Sequence, residues 1–341
     1  MGYAPCAPDL TLPGDRRRFV HYARAREINF EVARPGDQFD VVVLSARADI
    51  ASWADTPTKT RIVYDLIDSY LSLPVASPKN LLRGMAKFAI GEISRPVLSY
   101  RTAIERMCRR ADAIICSTLE QREDLLTLNP NVHLVLDFHS EIDGVVKTEF
   151  SIGEVLHLVW EGLPVTLGPF RELTPVLQEF SRERPLALHL ITDLHSSRYL
   201  DRVVPQSTER VVRNFYNPVY LYQWNLHMLP RIVTGCDIGV IPLDLSDPFS
   251  TGKPENKLLL FWRMGIPTIA SASPAHTRAM EEAGVALACP DPESWLDALR
   301  RLASREDERR RASRLGRAHV LEKWNEATLL QRWDRVMESL R

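Results

Sequence analysis

The amino-acid sequence predicts an α/β protein made of two doubly wound domains that face each other across a cleft. The chain has 341 residues, a length that suits two domains. Short β-branched runs alternate with charge-rich segments of helical spacing, which is typical of parallel sheets covered by helices. The alternation pauses at residues 140–154, a polar stretch that contains the turn signal Asp143-Gly144. We therefore expect residues 1–150 and 151–325 to form the two domains, and residues 326–341 to form a C-terminal helix that packs back on the body.

Each element is expected from its own residues. The strands are predicted at Gly2–Ala7, Ile28–Val32, Asp40–Leu44, Arg61–Asp65, Ala113–Ser117, Val132–Leu136, Leu156–Trp160, Leu186–Thr192, Val211–Phe215, Ile238–Pro242, Thr268–Ala270 and Val285–Ala288. The helices are predicted at 15–26, 79–110, 118–128, 170–182, 225–234, 254–263, 274–283, 292–304, 306–323 and 326–340. Because ligands of doubly wound sheets bind at the carboxyl ends of the strands, residues that follow strands are the site candidates.

The composition excludes several classes of protein. Forty-three Lys and Arg balance 44 Asp and Glu, so a net charge of −1 argues against a nucleic-acid-binding protein. No apolar run approaches the ~18–20 residues of a membrane-spanning helix. The N-terminus lacks the basic region and apolar core of a signal peptide, so we expect a cytoplasmic protein. Five cysteines without a CxxC pair and nine dispersed histidines predict neither a disulfide framework nor a metal site.

The most informative stretch runs from Gly239 to Ser271. A strand is followed by a loop of Ser, Asp, Pro and Gly, and a helix is expected to open near Lys253-Pro254. The N–H groups and positive dipole of a helix start bind anions, and Lys257 would add charge on the same face as Lys253. This pattern predicts a diphosphate site. The alternative, a solvated helix start with two ordinary lysines, stays open.

This stretch resembles the donor-binding region of GT-B glycosyltransferases. Three motifs match in order and spacing: Asp237-Ile238-Gly239-Val240-Ile241-Pro242-Leu243, Asn256-Lys257 and Met264-Gly265-Ile266-Pro267. Further segments are similar to other parts of the same family, and the resemblance covers roughly residues 35–325: Ala111–Thr118, Leu158–Gly162 and Ile191–Asp193. The resemblance implies two Rossmann-like domains, the first for the acceptor and the second for a nucleotide-sugar donor, with no separate cofactor. We expect no metal if helix N–H groups and lysines neutralise the leaving diphosphate.

The resemblance also assigns site residues. The donor-binding candidates are Gly162, Thr192, Trp224, Lys253, Glu255, Asn256 and Lys257. Trp224 would flank the nucleobase, although a core tryptophan is an equal alternative. The sequence departs from family 4-type members, which carry Glu-x7-Glu, because Gly252 and Leu260 stand at those positions. The second Glu grips the donor ribose in that family, and Glu255 is the nearest substitute, unless it only complements the helix dipole.

The acceptor side is expected to hold the general base. Asp65 and Asp68 follow a predicted strand and would share a face if a helix began there. An inverting transferase needs a carboxylate or a histidine to take the proton of the acceptor hydroxyl, and we prefer Asp65, with Asp68 second. Either one could instead cap the following helix. His139 is a candidate for acceptor binding, with a solvent-exposed loop histidine as the alternative.

Residues 79–110 are locally basic, with eight Lys or Arg and two Glu, an excess of six. An apolar stripe at helical spacing accompanies this charge. Such a segment can lie on an anionic membrane surface at the inner face of the membrane. The alternative is a helix with one core face and one solvated face.

The resemblance to GT-B enzymes, together with these patterns, implies a metal-independent glycosyltransferase. It would move a sugar from a nucleotide-activated donor to a hydroxyl of a growing glycan or lipid-linked saccharide, in bacterial surface polysaccharide synthesis. Two alternatives share the architecture: a non-hydrolysing nucleotide-sugar 2-epimerase and a non-catalytic GT-B scaffold.

Overall fold

The computed structural model describes residues 1–57, 59–72, 85, 87–89, 91, 93–97, 99–142, 144–196, 206–213 and 215–340. These residues form two compact units. Unit 1 comprises Met1–Phe138, Gly252–Pro254 and Asn325–Arg341, and unit 2 comprises His139–Thr251 and Glu255–Trp324.

Unit 1 contains a parallel six-stranded sheet. Its strands are β1 (Gly2–Ala4), β2 (Glu31–Val32), β3 (Val41–Leu44), β4 (Arg61–Asp65), β5 (Ala113–Cys116) and β6 (Val132–Leu134), in the order β2-β1-β3-β4-β5-β6. Its first helices are α1 (Pro13–Arg16), α2 (Phe19–Ala25), α3 (Ile50–Trp53), α4 (Tyr100–Arg110) and α5 (Leu119–Leu126). The central strands are buried on both faces, as expected of a parallel sheet between helices.

Unit 2 contains a second parallel six-stranded sheet. Its strands are β7 (Leu156–Glu161), β8 (Leu186–Thr192), β11 (Val219–Gln223), β12 (Ile238–Ile241), β13 (Thr268–Ser271) and β14 (Ala288–Cys289), in the order β11-β8-β7-β12-β13-β14. A short antiparallel pair is formed by β9 (His195–Ser196) and β10 (Gln206–Ser207). Its helices are α6 (Phe170–Ser181), α7 (Thr208–Val212), α8 (Leu229–Gly235), α9 (Pro248–Thr251), α10 (Asn256–Arg263), α11 (Pro274–Ala283), α12 (Pro292–Ser304) and α13 (Glu306–Lys323).

The C-terminal helix α14 (Glu326–Glu338) packs on unit 1. The ring of Trp333 stacks on Tyr22, with centroids 5.3 Å apart, and Arg26 makes two hydrogen bonds to the carboxylate of Asp334. The helix begins after Asn325, whose side chain accepts a hydrogen bond from the Thr328 N–H and so caps the helix.

The predicted α/β class is confirmed, but several element predictions are wrong. The strand predicted at Val285–Ala288 is displaced to Ala288–Cys289, and the helix predicted at 15–26 is divided into α1 and α2. The strand predicted at 211–215 is absent among its described residues, because Val211 and Val212 belong to α7, and the edge strand is β11, which follows Pro218. Residues 79–110 do not form one helix. Among their described members, residues 91 and 93–97 are not helical, and Pro96 lacks the N–H that a helix interior requires. Helix α4 begins later, where the Ser99 side chain accepts a hydrogen bond from the Thr102 N–H.

Across the described part of the chain, helices long and apolar enough to cross a membrane are absent.

Candidate functional site

Three predicted donor-site residues meet at the carboxyl edge of the sheet in unit 2. Gly162, Thr192 and Trp224 follow or end the adjacent strands β7, β8 and β11. The Gly162 N–H donates to the Ile191 carbonyl at 3.2 Å, and the Trp224 N–H donates to the Thr192 carbonyl at 2.9 Å. Backbone hydrogen bonds therefore hold these strand ends together. The side chain of Thr192 is fully buried.

Lys257 reaches this edge from the first turn of α10. Its ammonium nitrogen lies 4.3 Å from the ring centroid of Trp160, a cation–π distance. A Cβ atom built on Gly162 would lie 2.6 Å from the Lys257 Nζ and 2.8 Å from the Trp160 ring. The absence of a side chain at position 162 therefore makes room for the ammonium group. The structure therefore brings Gly162 and Lys257 together.

Glu161 is a residue of this edge that the sequence reasoning missed. It is the last residue of β7 and only 8% exposed. Its Oε1 accepts a hydrogen bond of 2.9 Å from the indole N–H of Trp224. The available signal was its position directly before Gly162, since a charged residue that ends a buried strand is unusual.

The remaining donor-site candidates lie where α10 begins. Glu255 is buried, occupies the N-cap position and makes no side-chain capping hydrogen bond. Asn256 is the first helical residue and is partly exposed. The helix ends at Arg263, and Gly265 adopts a left-handed φ of 70°, so the Met264–Pro267 turn leads into β13 as the sequence predicts.

Lys253 does not belong to the same unit as Lys257. The segment Gly252–Pro254 clusters with unit 1, where the Ser69 hydroxyl donates to the Gly252 carbonyl at 2.9 Å. The two lysines do not share a helical face, because the helix starts at Asn256 rather than near Lys253.

Asp65 lies in a buried ion pair in unit 1. The Arg18 guanidinium, 0% exposed, donates two hydrogen bonds of 2.6 Å to its carboxylate and one of 2.9 Å to Asp137. Burial raises the pKa of Asp65, and the charge of Arg18 opposes that shift. Asp65 itself is 2% exposed, so a substrate hydroxyl cannot reach it in this arrangement.

Asp68 differs from Asp65 in its surroundings. It is partly exposed, and its backbone carbonyl accepts a hydrogen bond from the Gln121 side chain at 3.1 Å. The chain does not enter a helix after β4, and the next regular element is a 3-10 helix at Tyr70–Ser72. The two carboxylates therefore do not share a helical face.

His139 is buried, at 3% exposure, rather than in a solvated loop. Its carbonyl accepts a hydrogen bond from the Ile142 N–H at 3.2 Å. Within the described ranges, no three His, Cys, Asp or Glu residues are grouped so that they could hold a metal ion.

No protein-family model and no curated protein sequence matches the chain. Solved structures do match it. TarM of Staphylococcus aureus, crystallised with fondaparinux, α-GlcNAc-glycerol and UDP, is 10% identical over 87% of this chain, with a TM-score of 0.59. The match spans about half of TarM, 55% of its length. HepE of Anabaena, in complex with UDP-glucose, is 12% identical over 94% of this chain and 88% of its own, with a TM-score of 0.57.

A glycosyltransferase of Rickettsia africae is similar at the same level, with 10% identity, 94% and 88% coverage and a TM-score of 0.57. These neighbours have the GT-B fold. The chain therefore has the GT-B fold that its sequence resemblance implies.

Proposed function

We propose that the protein is a glycosyltransferase that uses a nucleotide-sugar donor. One observation carries the proposal: the Lys257 ammonium group is held over Trp160 and beside Gly162, at the strand ends where Trp224 also lies. A cation at the carboxyl edge of a doubly wound sheet suits a diphosphate. The neighbours TarM and HepE are described with UDP and UDP-glucose, which supports the same ligand class.

The proposed chemistry is stabilisation of a leaving nucleoside diphosphate. Transfer breaks the bond between the sugar and the diphosphate, and negative charge develops on the departing phosphate oxygens. Lys257 and the positive end of the α10 dipole, at Asn256, would stabilise that charge. We propose that Glu255, at the N-cap of α10, and Lys253, three residues before Asn256, belong to the same donor-binding segment. If these groups stabilise the leaving diphosphate without a metal ion, the enzyme should keep its full activity in the presence of EDTA.

We propose Asp68 as the general base toward the acceptor hydroxyl. Asp68 is a partly exposed residue, whereas the carboxylate of Asp65 is enclosed with Arg18. We therefore propose that Asp65 is structural and, through its ion pair with Arg18, stabilises the end of β4. His139 is buried. We therefore propose that it supports acceptor binding indirectly, by fixing the backbone that follows Phe138.

The proposed acceptor is a glycan or a lipid-linked saccharide of bacterial surface polysaccharide synthesis, on the inner face of the membrane. Peripheral membrane contact through residues 79–110 is a separate proposal. It rests on the exposed Phe88 (40%) and Met85 (44%) rather than on charge. Much of the charge among the described residues is paired or buried: Arg95 and Arg106 with Asp55, Arg101 and Arg109 with Glu105, and Lys87 against the ring of Tyr100. Sedimentation with anionic liposomes should therefore fall for Phe88→Ser, and a wild type that never sediments overturns the contact.

The central test is binding of nucleoside diphosphates. A thermal-shift screen of UDP, GDP, ADP, CDP and their sugar conjugates should identify a stabilising ligand. Lys257→Ala should then weaken its binding about tenfold in calorimetry, or roughly 1.4 kcal/mol. Lys323→Ala is the matched control, because that lysine pairs with Glu282 on the surface of the same unit.

Two outcomes would contradict the proposal. If no nucleoside diphosphate stabilises the wild type, unit 2 is not a donor site. If the donor sugar is epimerised without any acceptor, the protein is an epimerase rather than a transferase.

A further inference from the structure

We propose that Glu161 binds the ribose hydroxyls of the donor nucleotide and at the same time positions the Trp224 indole. This inference rests on the proposed function, because it names a specificity residue within the proposed donor site. It starts from the carboxylate itself, which lies at the end of β7 and is nine-tenths buried.

Only one of the two carboxylate oxygens of Glu161 accepts a hydrogen bond from the described residues. Its Oε1 accepts the indole N–H of Trp224 at 2.9 Å, while its Oε2 makes no hydrogen bond with any residue in the described ranges. Oε2 is not among the enclosed side-chain oxygens that lack a partner, so it is accessible, and a ligand that donates hydrogen bonds can reach it and pair with it. An ionised carboxylate accepts hydrogen bonds and cannot donate them, which restricts the ligand group to an O–H or N–H.

The neighbours of Glu161 identify that group. The next residue, Gly162, lies against the Lys257 ammonium, which is the proposed diphosphate contact. A carboxylate repels phosphate oxygens, so the part of the ligand next to Glu161 must be neutral and rich in donors. In a nucleoside diphosphate the ribose adjoins the diphosphate, and its 2′- and 3′-hydroxyls are donors of this kind. The ribose therefore satisfies Glu161 without displacing the phosphate from Lys257.

The hydrogen bond to Trp224 gives Glu161 its second effect. The indole is anchored at its N–H by Glu161 and through its backbone N–H by the Thr192 carbonyl. Two anchors fix the plane of a large, partly exposed ring at the end of β11, where it can flank the base. Glu161 thus couples binding of the ribose to the orientation of the Trp224 indole.

The experiment compares nucleotides that differ in the ribose alone. Calorimetry with UDP, GDP, ADP and CDP, each paired with its 2′,3′-dideoxy counterpart, should show that the wild type prefers the ribonucleotide about tenfold or more, the effect of a hydrogen bond to a charged group. Glu161→Gln should reduce this preference to about twofold. The glutamine oxygen can still accept the indole N–H, so unchanged tryptophan emission would show that Trp224 has stayed in place. Glu161→Leu should lose the preference and also shift the emission.

The controls separate this inference from the proposed function. Lys257→Ala should weaken the binding of both nucleotides equally and keep the preference between them. Glu172→Gln, which alters an exposed carboxylate of α6 in the same unit, should change nothing. If the wild type binds a ribonucleotide and its dideoxy counterpart equally, or Glu161→Gln keeps the full preference, the role of Glu161 is overturned while the donor site stands. If the wild type binds no nucleotide, the proposed function and this inference both fail.

Discussion

The carboxyl ends of the two parallel sheets use charge in opposite ways. In unit 1, Arg18 is enclosed and joins Asp65 to Asp137, so its charge holds strand ends together. In unit 2, Lys257 is partly exposed against Trp160, and Glu161 keeps one carboxylate oxygen without a partner among the described residues. A buried ion pair whose donors and acceptors are hydrogen-bonded within the protein stabilises the backbone at the strand ends. A carboxylate at a strand end with one oxygen still able to accept a hydrogen bond is suited to binding a ligand. Four predictions, ordered from the largest expected effect, test this contrast.

Removal of the enclosed charge should have the largest effect. Arg18→Met leaves Asp65 buried without its partner, and we expect a loss of about 3–5 kcal/mol in the free energy of unfolding, measured in urea. Arg26→Met is the control, because Arg26 makes a similar pair with Asp334 but is exposed, and it should lose clearly less stability. A loss in Arg18→Met as small as that in Arg26→Met would show that the Arg18 pair does not stabilise the fold.

Asp68 is the carboxylate of unit 1 that we propose to be reactive, in contrast to the enclosed Asp65. Asp68→Asn should lower kcat about 100-fold, or roughly 2.7 kcal/mol of activation free energy, with donor affinity unchanged. Asp65→Asn should mainly lower stability. If folded Asp65→Asn loses more kcat than Asp68→Asn, the base is Asp65 and the contrast between the two edges is wrong.

Mild acid should destabilise unit 2 through a histidine away from the proposed site. His189 contacts His157 at 2.9 Å and Tyr222 at 3.0 Å, and burial, followed by the charge of His157, lowers the pKa of His189 to about 4. Between pH 6.5 and 4 the unfolded chain binds a proton that the folded chain does not, so the free energy of unfolding falls as the pH falls.

The expected loss at His189 is on the order of 2 kcal/mol, allowing for partial exposure. Urea unfolding of wild type at pH 7 and pH 4 measures it. His189→Gln should flatten the dependence, and His227→Gln, which changes an exposed histidine of the same unit, should not. Parallel pH profiles for all three proteins would exclude His189 as the cause.

The smallest effect is expected at the glycine beside Lys257. Gly162→Ala places a methyl group 2.6 Å from the Lys257 Nζ, so the ammonium must move, and nucleotide affinity should fall about tenfold in calorimetry. Gly168→Ala, in the same unit, meets no atom within 4 Å and should bind nucleotide normally. Normal binding by both variants would remove Lys257 from the proposed phosphate contact.

Local patterns predicted most of the elements. Helix α12 runs from Pro292 to Ser304, as its spacing predicts, because Asp291 caps it and its apolar stripe faces the core. The strand predicted at residues 211–215 is wrong because a short apolar run between arginines fits a helical turn as well as a strand. The true edge strand β11 alternates weakly in burial, so its pattern is less distinct.

The sequence by itself determined the α/β class, the resemblance to GT-B glycosyltransferases and the neighbourhood of Gly162, Lys257 and Trp224, because these depend on periodicity and on local motifs. Only the tertiary structure decided that Arg18 encloses Asp65 and that Glu161 holds Trp224. Those partners are 47 and 63 residues apart in the chain. Burial and pairing at such separations are set by strand order, and no local pattern of residues encodes which of several arginines or glutamates will face inward.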